Sequence, residues 1–395
     1  MTMPKTIKNN TTADKTNLEL CPVAKKCGGC QLQNMDYLRQ LRFKQAKVEK
    51  LLGRNHKVRS ILGMDVPYHY RNKVQAAFAP FRGSITTGIY QSATRRVVPV
   101  RSCMTEDKIC GKIVQTAGRI ARDLGLSAVD PRTGRGLLCH ILVRRGFATG
   151  QILVAIVTSA PAFPRKNDFV SRLVDAHPNI TTVVHNISDG VPMVLGNREN
   201  VLYGPGYIED KLCGLSFRVS ARSFYQINPQ QTEKLYDEAI AMAQLTGNEA
   251  VIDAYCGIGT IGLVAAARGA AHVVGVELNR DAVRDAIQNA KANKLQNARF
   301  FQGDAGRFMA ELAEEGQSVD VVFMDPPRQG SDRAFLISLV RLTPKRVVYI
   351  SCNPETQARD VEFLVKNGYA VSSILPVDMF PHTNHVECVC LLEKK

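Results

Sequence analysis

The sequence predicts an α/β protein in two parts: a C-terminal doubly wound, Rossmann-like sheet, and before it an α+β domain. Three observations carry this. Val251 to Asn279 reads as a short apolar strand, a glycine turn, a helix and a second apolar strand ending in Glu277. From residue 280 to 366 apolar runs of strand length alternate regularly with helix-patterned stretches, the signature of a parallel sheet. Between residues 74 and 187 shorter β-type runs lie around two helical stretches, an α+β pattern.

Taken in order, residues 1–20 are polar and without periodicity, which predicts a flexible tail. Residues 21–215 form the α+β part and 216–395 the doubly wound part. Leu32 to Leu52 has amphipathic spacing and ends at Gly53, predicting a helix. Val74 to Val100 predicts strands broken at Gly83 and Gly88. Helices are expected over Asp107–Leu124 and Asp168–Ala176. Strands are expected over Leu137–Arg144, Ile152–Thr158 and Thr181–Ile187. Pro229 opens a helix to about Ala243, with Asn228 as its N-cap. Strand Ala250–Tyr255, helix Thr260–Arg268 and strand His272–Val276 make up the glycine-turn unit. After them come helix Arg280–Asn293, strand Ala298–Gln302, helix Ala305–Glu315 and strand Val319–Met324. Helix Asp332–Leu342, strand Arg346–Ile350, helix Glu355–Lys366 and two strands near Val371 and Val386 complete the chain.

Composition narrows the function. The 395 residues carry a formal net charge of +15, which favours a polyanionic partner, above all nucleic acid. Basic side chains from Arg39, Arg42, Lys44 and Lys47 onward to Arg101 are interleaved with Tyr68, Tyr70, Phe78, Phe81 and Tyr90. Cations track phosphates, and aromatic faces stack on unpaired bases. No apolar run reaches membrane-spanning length and no signal-peptide core is visible, so a cytoplasmic location is expected, with no membrane and no obligate protein partner. Eleven cysteines in such a chain point to metal binding or catalysis rather than to disulfides. Cys21, Cys27 and Cys30 lie within ten residues, and Gly28 and Gly29 let the loop fold around a centre. Iron–sulfur clusters and zinc both take four thiolates. Cys103 and Cys110 are the nearest candidates for the fourth.

Several strand ends should meet at one edge of the doubly wound sheet, where ligands bind. The Gly257-x-Gly259-x-x-Gly262 turn fits a dinucleotide as well as an S-adenosylmethionine loop. Asp253 beside it disfavours a diphosphate and suits the amino group of a sulfonium amino acid. Glu277 suits the two hydroxyls of a ribose. Asp304 ends the next strand. Asp325-Pro326-Pro327-Arg328 ends another, with two prolines aiming the carboxylate into the cleft. Cys352 follows a buried strand and precedes a helix, where backbone N–H groups favour a thiolate. A soft sulfur nucleophile adds reversibly to C6 of uracil and makes C5 nucleophilic enough to take a methyl group from a sulfonium. The C5 proton then needs a base, and Glu387 on the last strand is the candidate.

Together Cys-x5-Cys-Gly-Gly-Cys at 21–30, Ser-Phe-Tyr-Gln-Ile-Asn at 223–228, Asp-Ala-Tyr-Cys-Gly-Ile-Gly-Thr at 253–260, Asp-Pro-Pro-Arg at 325–328, Ser-Cys-Asn-Pro at 351–354 and His-Val-Glu-Cys at 385–388 resemble the bacterial RNA uracil-C5 methyltransferases. The resemblance is to the iron–sulfur branch acting on 23S ribosomal RNA. It implies a class I, S-adenosylmethionine-dependent methyltransferase sheet preceded by an iron–sulfur and RNA-binding domain. It implies Cys352 as nucleophile and Glu387 as proton acceptor. It implies Gln226, Tyr255, Glu277 and Asp325 as contacts to S-adenosylmethionine, with Thr260 and Asp304 nearby. It further implies a [4Fe-4S] cluster on Cys21, Cys27, Cys30 and Cys103, since the Val-Arg-Ser-Cys context of Cys103 matches better than that of Cys110. Many members begin with a β-barrel RNA-binding domain; with 20 residues before Cys21, no such N-terminal barrel is expected here. Transfer RNA as substrate, and a nicotinamide-dependent iron–sulfur oxidoreductase, are the alternatives.

Overall fold

The computed structural model describes residues 20–54, 56–92, 94, 96–188 and 194–395, so the expected tail lies outside the described residues, Leu20 excepted. After α1 (Ala24–Cys27) and α2 (Tyr37–Leu52) come β1 (Lys73–Phe81), β2 (Ser84–Tyr90), β3 (Val97–Pro99), α3 (Lys108–Asp123), β4 (Leu138–Arg145), β5 (Ile152–Thr158), α4 (Lys166–Ala176), β6 (Ile180–Ile187) and β7 (Arg198–Tyr203). The seven strands form one open sheet in the order β3-β2-β1-β4-β5-β6-β7. Every pairing is antiparallel except β5–β6, which α4 connects. Successive side chains on a strand point to opposite faces, and both faces of this sheet are buried. Ile141, Val143, Val154 and Ile156 face α3 and α4. Leu142, Leu153, Ala155 and Val184 face the other way, into the core shared with the C-terminal half.

A hairpin of β8 (Tyr207–Leu212) and β9 (Leu215–Ser220) follows. Sequence reading missed it and β7. On β8 the inward positions are Ile208, Asp210 and Leu212, and the acid hides the apolar alternation. Asp210 is tolerated inside because it accepts hydrogen bonds from the Ala148 N–H (3.0 Å) and the Tyr225 hydroxyl (3.3 Å). Gly88, expected to interrupt a strand, lies within β2. A side chain there would sit 2.1 Å from the Val98 carbonyl oxygen, so glycine allows β3 to pair closely.

The second sheet comprises β10 (Ala250–Ala254), β11 (His272–Glu277), β12 (Ala298–Gln302), β13 (Val321–Met324), β14 (Arg346–Ser351), β15 (Tyr369–Val377) and β16 (Glu387–Lys394). Its order is β12-β11-β10-β13-β14-β16-β15. The first five strands are parallel; β16 is antiparallel to both β14 and β15. Helices α5 (Pro229–Ala243), α6 (Thr260–Ala267) and α7 (Arg280–Ala292) cover one face. Helices α8 (Ala305–Glu314), α9 (Arg333–Leu342) and α10 (Pro354–Lys366) cover the other. This is the doubly wound arrangement the alternation predicts. The strand order reverses at β10, so a crevice opens at the carboxyl ends of β10 and β13. Among the described residues neither large sheet closes into a barrel.

Helix α2 begins five residues later than its apolar pattern, because Asp36 caps it by accepting the Arg39 N–H (2.9 Å). Its buried stripe is Gln40, Lys44, Val48 and Leu52. Val48 and Leu52 pack with Val322, Tyr349 and Ile374, so α2 lies against the C-terminal sheet although it precedes the first. Lys44 is not a surface cation. It is fully buried and donates to Asp378 Oδ1 (2.5 Å) and the Phe380 carbonyl (3.0 Å). Gln40 donates to the Met35 carbonyl (2.8 Å) and accepts the His382 N–H (2.8 Å). These polar links tie α2 to the loop that leads into β16.

Candidate active site

The parallel register aligns the carboxyl ends of β10 to β13, with Ala254 opposite Val276 and Met324, and Glu277 opposite Gln302. At the end of β10 the chain turns through Tyr255 (φ 64°), Gly257 (φ 54°) and Gly259 (φ 83°). A left-handed tyrosine is strained, and such strain gathers at ligand sites. The Tyr255 ring packs on Phe335, centroids 5.0 Å apart, and its hydroxyl reaches Ser331 Oγ (3.5 Å). Thr260 opens α6 and shares a hydrogen bond with the Tyr236 hydroxyl (2.9 Å). Glu277 accepts the Gly257 N–H (3.2 Å) and the Asn279 N–H (2.8 Å), one on each oxygen. Each oxygen keeps a second acceptor site for a ligand hydroxyl. Asp304 caps α8 by accepting the Arg307 N–H (2.8 Å). Gln226 lies on the segment before α5, where Asn72 holds it by donating to its carbonyl (3.1 Å).

Asp253 is buried beneath the turn, where its Oδ1 has no hydrogen-bond partner among the described residues, while its Oδ2 accepts the Gly262 N–H (2.7 Å) and anchors α6. A Cβ on Gly262 would lie 2.8 Å from that carboxylate oxygen, which explains the third glycine. Burial pushes the Asp253 carboxyl up to about 7.

Asp325 follows β13, half-buried, and burial pushes it up to about 7. Cys352 and Glu387 are brought together by sheet register. Ser351 on β14 pairs with Cys388 on β16 at the end of the ladder, so the chain brings Cys352, one residue on, close to Glu387. Glu387 is 3% exposed, and burial together with Asp325 raises its carboxyl to about 8. The expected thiolate at Cys352 is not the resting state. Burial first, then Glu387 and Asp325, raise the thiol to about 11, and Arg328 opposes them. The backbone N–H of Cys352 favours the thiolate, but less than burial opposes it, and Asn353 caps α10 by accepting the Glu355 N–H (3.2 Å). Asn353 and Thr356 also donate to the Arg328 carbonyl (3.1 and 3.3 Å), which locks the Asp325–Arg328 turn onto α10. Two further residues escaped sequence reading. The Arg328 guanidinium contacts His385 Nδ1 (3.4 Å), and Phe224 stands 66% exposed on the segment leading to Gln226. His385 and Phe224 lie within the quoted motifs, but nothing in their spacing marks their role.

The N-terminal cysteines gather away from this cleft. Cys21, Cys27, Cys30 and Cys103 line one small cavity with Ile89, Val100 and Met104. Gly28 caps α1 at φ 70°, and a side chain on it would meet Ser92 Cβ at 2.7 Å. Burial and the neighbouring Cys103 push the Cys30 thiol up to about 12. Cys110 is fully buried in α3 among Ile113, Val114 and Ala117, away from that cavity. All four thiols are free. Among the described residues no group of three or more His, Cys, Asp or Glu side chains is arranged to hold a metal ion. Both a zinc ion and a four-iron cluster take four thiolates, and these four line the same cavity.

Residues 199–395 match the model of the family described as tRNA (uracil-5-)-methyltransferase. The chain is 42% identical over 381 residues to an uncharacterized RNA methyltransferase of Halalkalibacterium halodurans, covering 95% of this chain and 83% of that one. It is 40% identical over 398 residues to one of Staphylococcus aureus, covering 99% and 87%. Among solved structures it is similar to the Pyrococcus abyssi tRNA (uracil-54, C5)-methyltransferase in complex with S-adenosyl-L-homocysteine. That likeness has a TM-score of 0.78 at 27% identity and covers 92% of this chain and 85% of that one.

Proposed function

Because the chain belongs to the RNA uracil-C5 methyltransferase family, we propose that it moves a methyl group from S-adenosylmethionine to C5 of a uracil in RNA through a Cys352–C6 adduct. The observation that carries this is the pairing of Ser351 with Cys388, which sets Cys352 beside Glu387 with Asp325 at the neighbouring strand end. Tyr255, Glu277, Asp304, Asp325, Thr260 and Gln226 are the residues we assign to the methyl donor's cleft. Glu277 takes the ribose hydroxyls on its two free acceptor sites.

A thiol at about 11 is a poor nucleophile at neutral pH. The cationic sulfonium of the bound donor, added to Arg328, lowers it and the adjacent carboxyls. The Cys352 thiolate then forms a bond to C6, and the C5–C6 π pair moves onto O4 as an enolate. C5 takes the methyl group as the donor's S–CH3 bond breaks, leaving S-adenosylhomocysteine. The Glu387 carboxylate removes the C5 proton, that electron pair re-forms C5=C6, and Cys352 leaves as thiolate. The uracil must be unpaired or flipped out for Cys352 and the methyl group to approach opposite faces.

Cys21, Cys27, Cys30 and Cys103 are the proposed ligands of a [4Fe-4S] cluster, which would cross-link the N-terminal segment to the loop after β3. The cysteine motif supports the ribosomal RNA reading, on 23S RNA. Transfer RNA is the second reading, because the Pyrococcus abyssi neighbour is a tRNA enzyme. The test uses RNA bearing 5-fluorouracil with S-adenosylmethionine. Fluorine cannot leave as a proton, so a covalent protein–RNA complex accumulates. A Cys352→Ala protein that still forms it overturns the nucleophile assignment. Mapping tritiated methyl groups in total RNA distinguishes the two substrates.

A further inference from the structure

The exposed face of α3 carries Lys108, Lys112, Gln115, Arg119 and Arg122, spaced by four, three, four and three residues. That spacing is one stripe of a helix, and its fourteen-residue span is about 21 Å long. The opposite face of α3, with Cys110, Ile113, Ala117 and Ile120, is buried, which fixes the stripe outward. Arg82, in the turn after β1, and Arg101, after β3, complete the walls of a groove of about 790 Å³ that contains no acidic residue. A second groove of about 620 Å³ shares Arg101, Lys112 and Gln115 with it and continues to Tyr68 and Cys103. Of the two acids there, Asp107 pairs with Arg145 (2.8 Å), and Glu106 is half-buried on a β-bridge with Arg71. Among the described residues none of the six cations forms a salt bridge. At the inner end Tyr68 stacks on His382, centroids 4.8 Å apart, three residues before the His385 that contacts Arg328. The groove therefore leads to the catalytic loop.

Six uncompensated cations on a concave surface repel one another, and a polyanion relieves that repulsion while releasing its counterions. We propose that this groove is the track for the phosphate backbone of the RNA outside the catalytic cleft, held by Lys108, Lys112, Arg119, Arg122, Arg82 and Arg101. Phe81, 44% exposed with the Arg82 guanidinium 5.3 Å from its ring, supplies a face for one base. The identity of that RNA as methyl acceptor rests on the function proposed above.

The experiment measures binding of a labelled twenty-nucleotide oligouridylate against salt for the parent, for Lys112→Gln/Arg119→Gln/Arg122→Gln, and for a control, Lys291→Gln/Lys294→Gln/Arg299→Gln. The control cations are exposed and sit on the last turn of α7, just after it, and on β12, the edge strand of the second sheet. Losing three phosphate contacts should reduce the slope of log affinity against log salt by about 2 and weaken binding at physiological salt by roughly one to two orders of magnitude. The control should match the parent, and S-adenosylmethionine affinity should be unchanged in all three. Parental slope and affinity in the groove variant overturn the proposal, as does an equal loss in the control. Poly-glutamate bound at the parent's groove in place of oligouridylate also overturns it, in favour of an acidic protein. Should no RNA accept a methyl group, the proposed function falls, while the oligouridylate slopes still judge the groove.

Discussion

Glu387 is expected to lower the stability of the fold that uses it. Its carboxyl is raised from 4.5 to about 8 in the folded chain by burial and by Asp325. Between those values the unfolded chain has released the proton and the folded chain retains it, so stability falls as pH rises through the window and levels off above pH 8. The difference is about 3 kcal/mol at pH 7 and between about 4 and 5 kcal/mol above pH 8. Glu387→Gln removes this titration. An amide in the same buried site costs about 1–3 kcal/mol if unpaired, and that cost does not change with pH. The readout is therefore the slope. Urea denaturation of parent and variant at intervals from pH 4.5 to 8.5, under reducing conditions, should show the variant gaining on the parent by about 3 kcal/mol between pH 4.5 and pH 7. The variant should also methylate and then stall as an adduct, because only loss of the C5 proton is impaired. Parallel stability curves would refute the burial argument, and an unimpaired turnover would refute the role as base.

Three further predictions follow from single contacts. Lys44→Ala leaves Asp378 charged and unpaired in the core and should cost about 3–5 kcal/mol; Lys44→Met/Asp378→Leu should recover most of it in the same denaturation assay. Gly262→Ala forces a methyl group to 2.8 Å from Asp253 and should destabilise by about 1–3 kcal/mol and weaken S-adenosylmethionine binding by calorimetry; an unchanged affinity would free the turn from that role. Cys103→Ser should lose iron and sulfide from anaerobically purified protein, whereas Cys110→Ser should lower the melting temperature and keep the iron; the reverse would move the fourth ligand.

Local chemistry was enough to read most elements of the second sheet. The helix from Pro229 to Ala243 follows from a proline at its first position and an asparagine cap, both visible in the chain. Strands β10, β11 and β12 follow from short apolar runs bounded by glycine or asparagine. That Cys352 and Glu387, the pair we propose for catalysis, each follow or open a strand was also legible, because strand type and direction are local properties. Three things required the tertiary structure. Lys44 looks like a surface cation in sequence, and only the packing of α2 against the loop at Asp378 makes it a buried ion pair. The raised thiol of Cys352 comes first from burial and then from two carboxylates 27 and 35 residues away in the chain, none of which local sequence shows. The basic stretch from residue 39 to 101 was visible in sequence, but only packing brings its Arg82 and Arg101 into one groove with the cations of α3. Charge is a property of composition, but whether a charge is free depends on what the fold places against it.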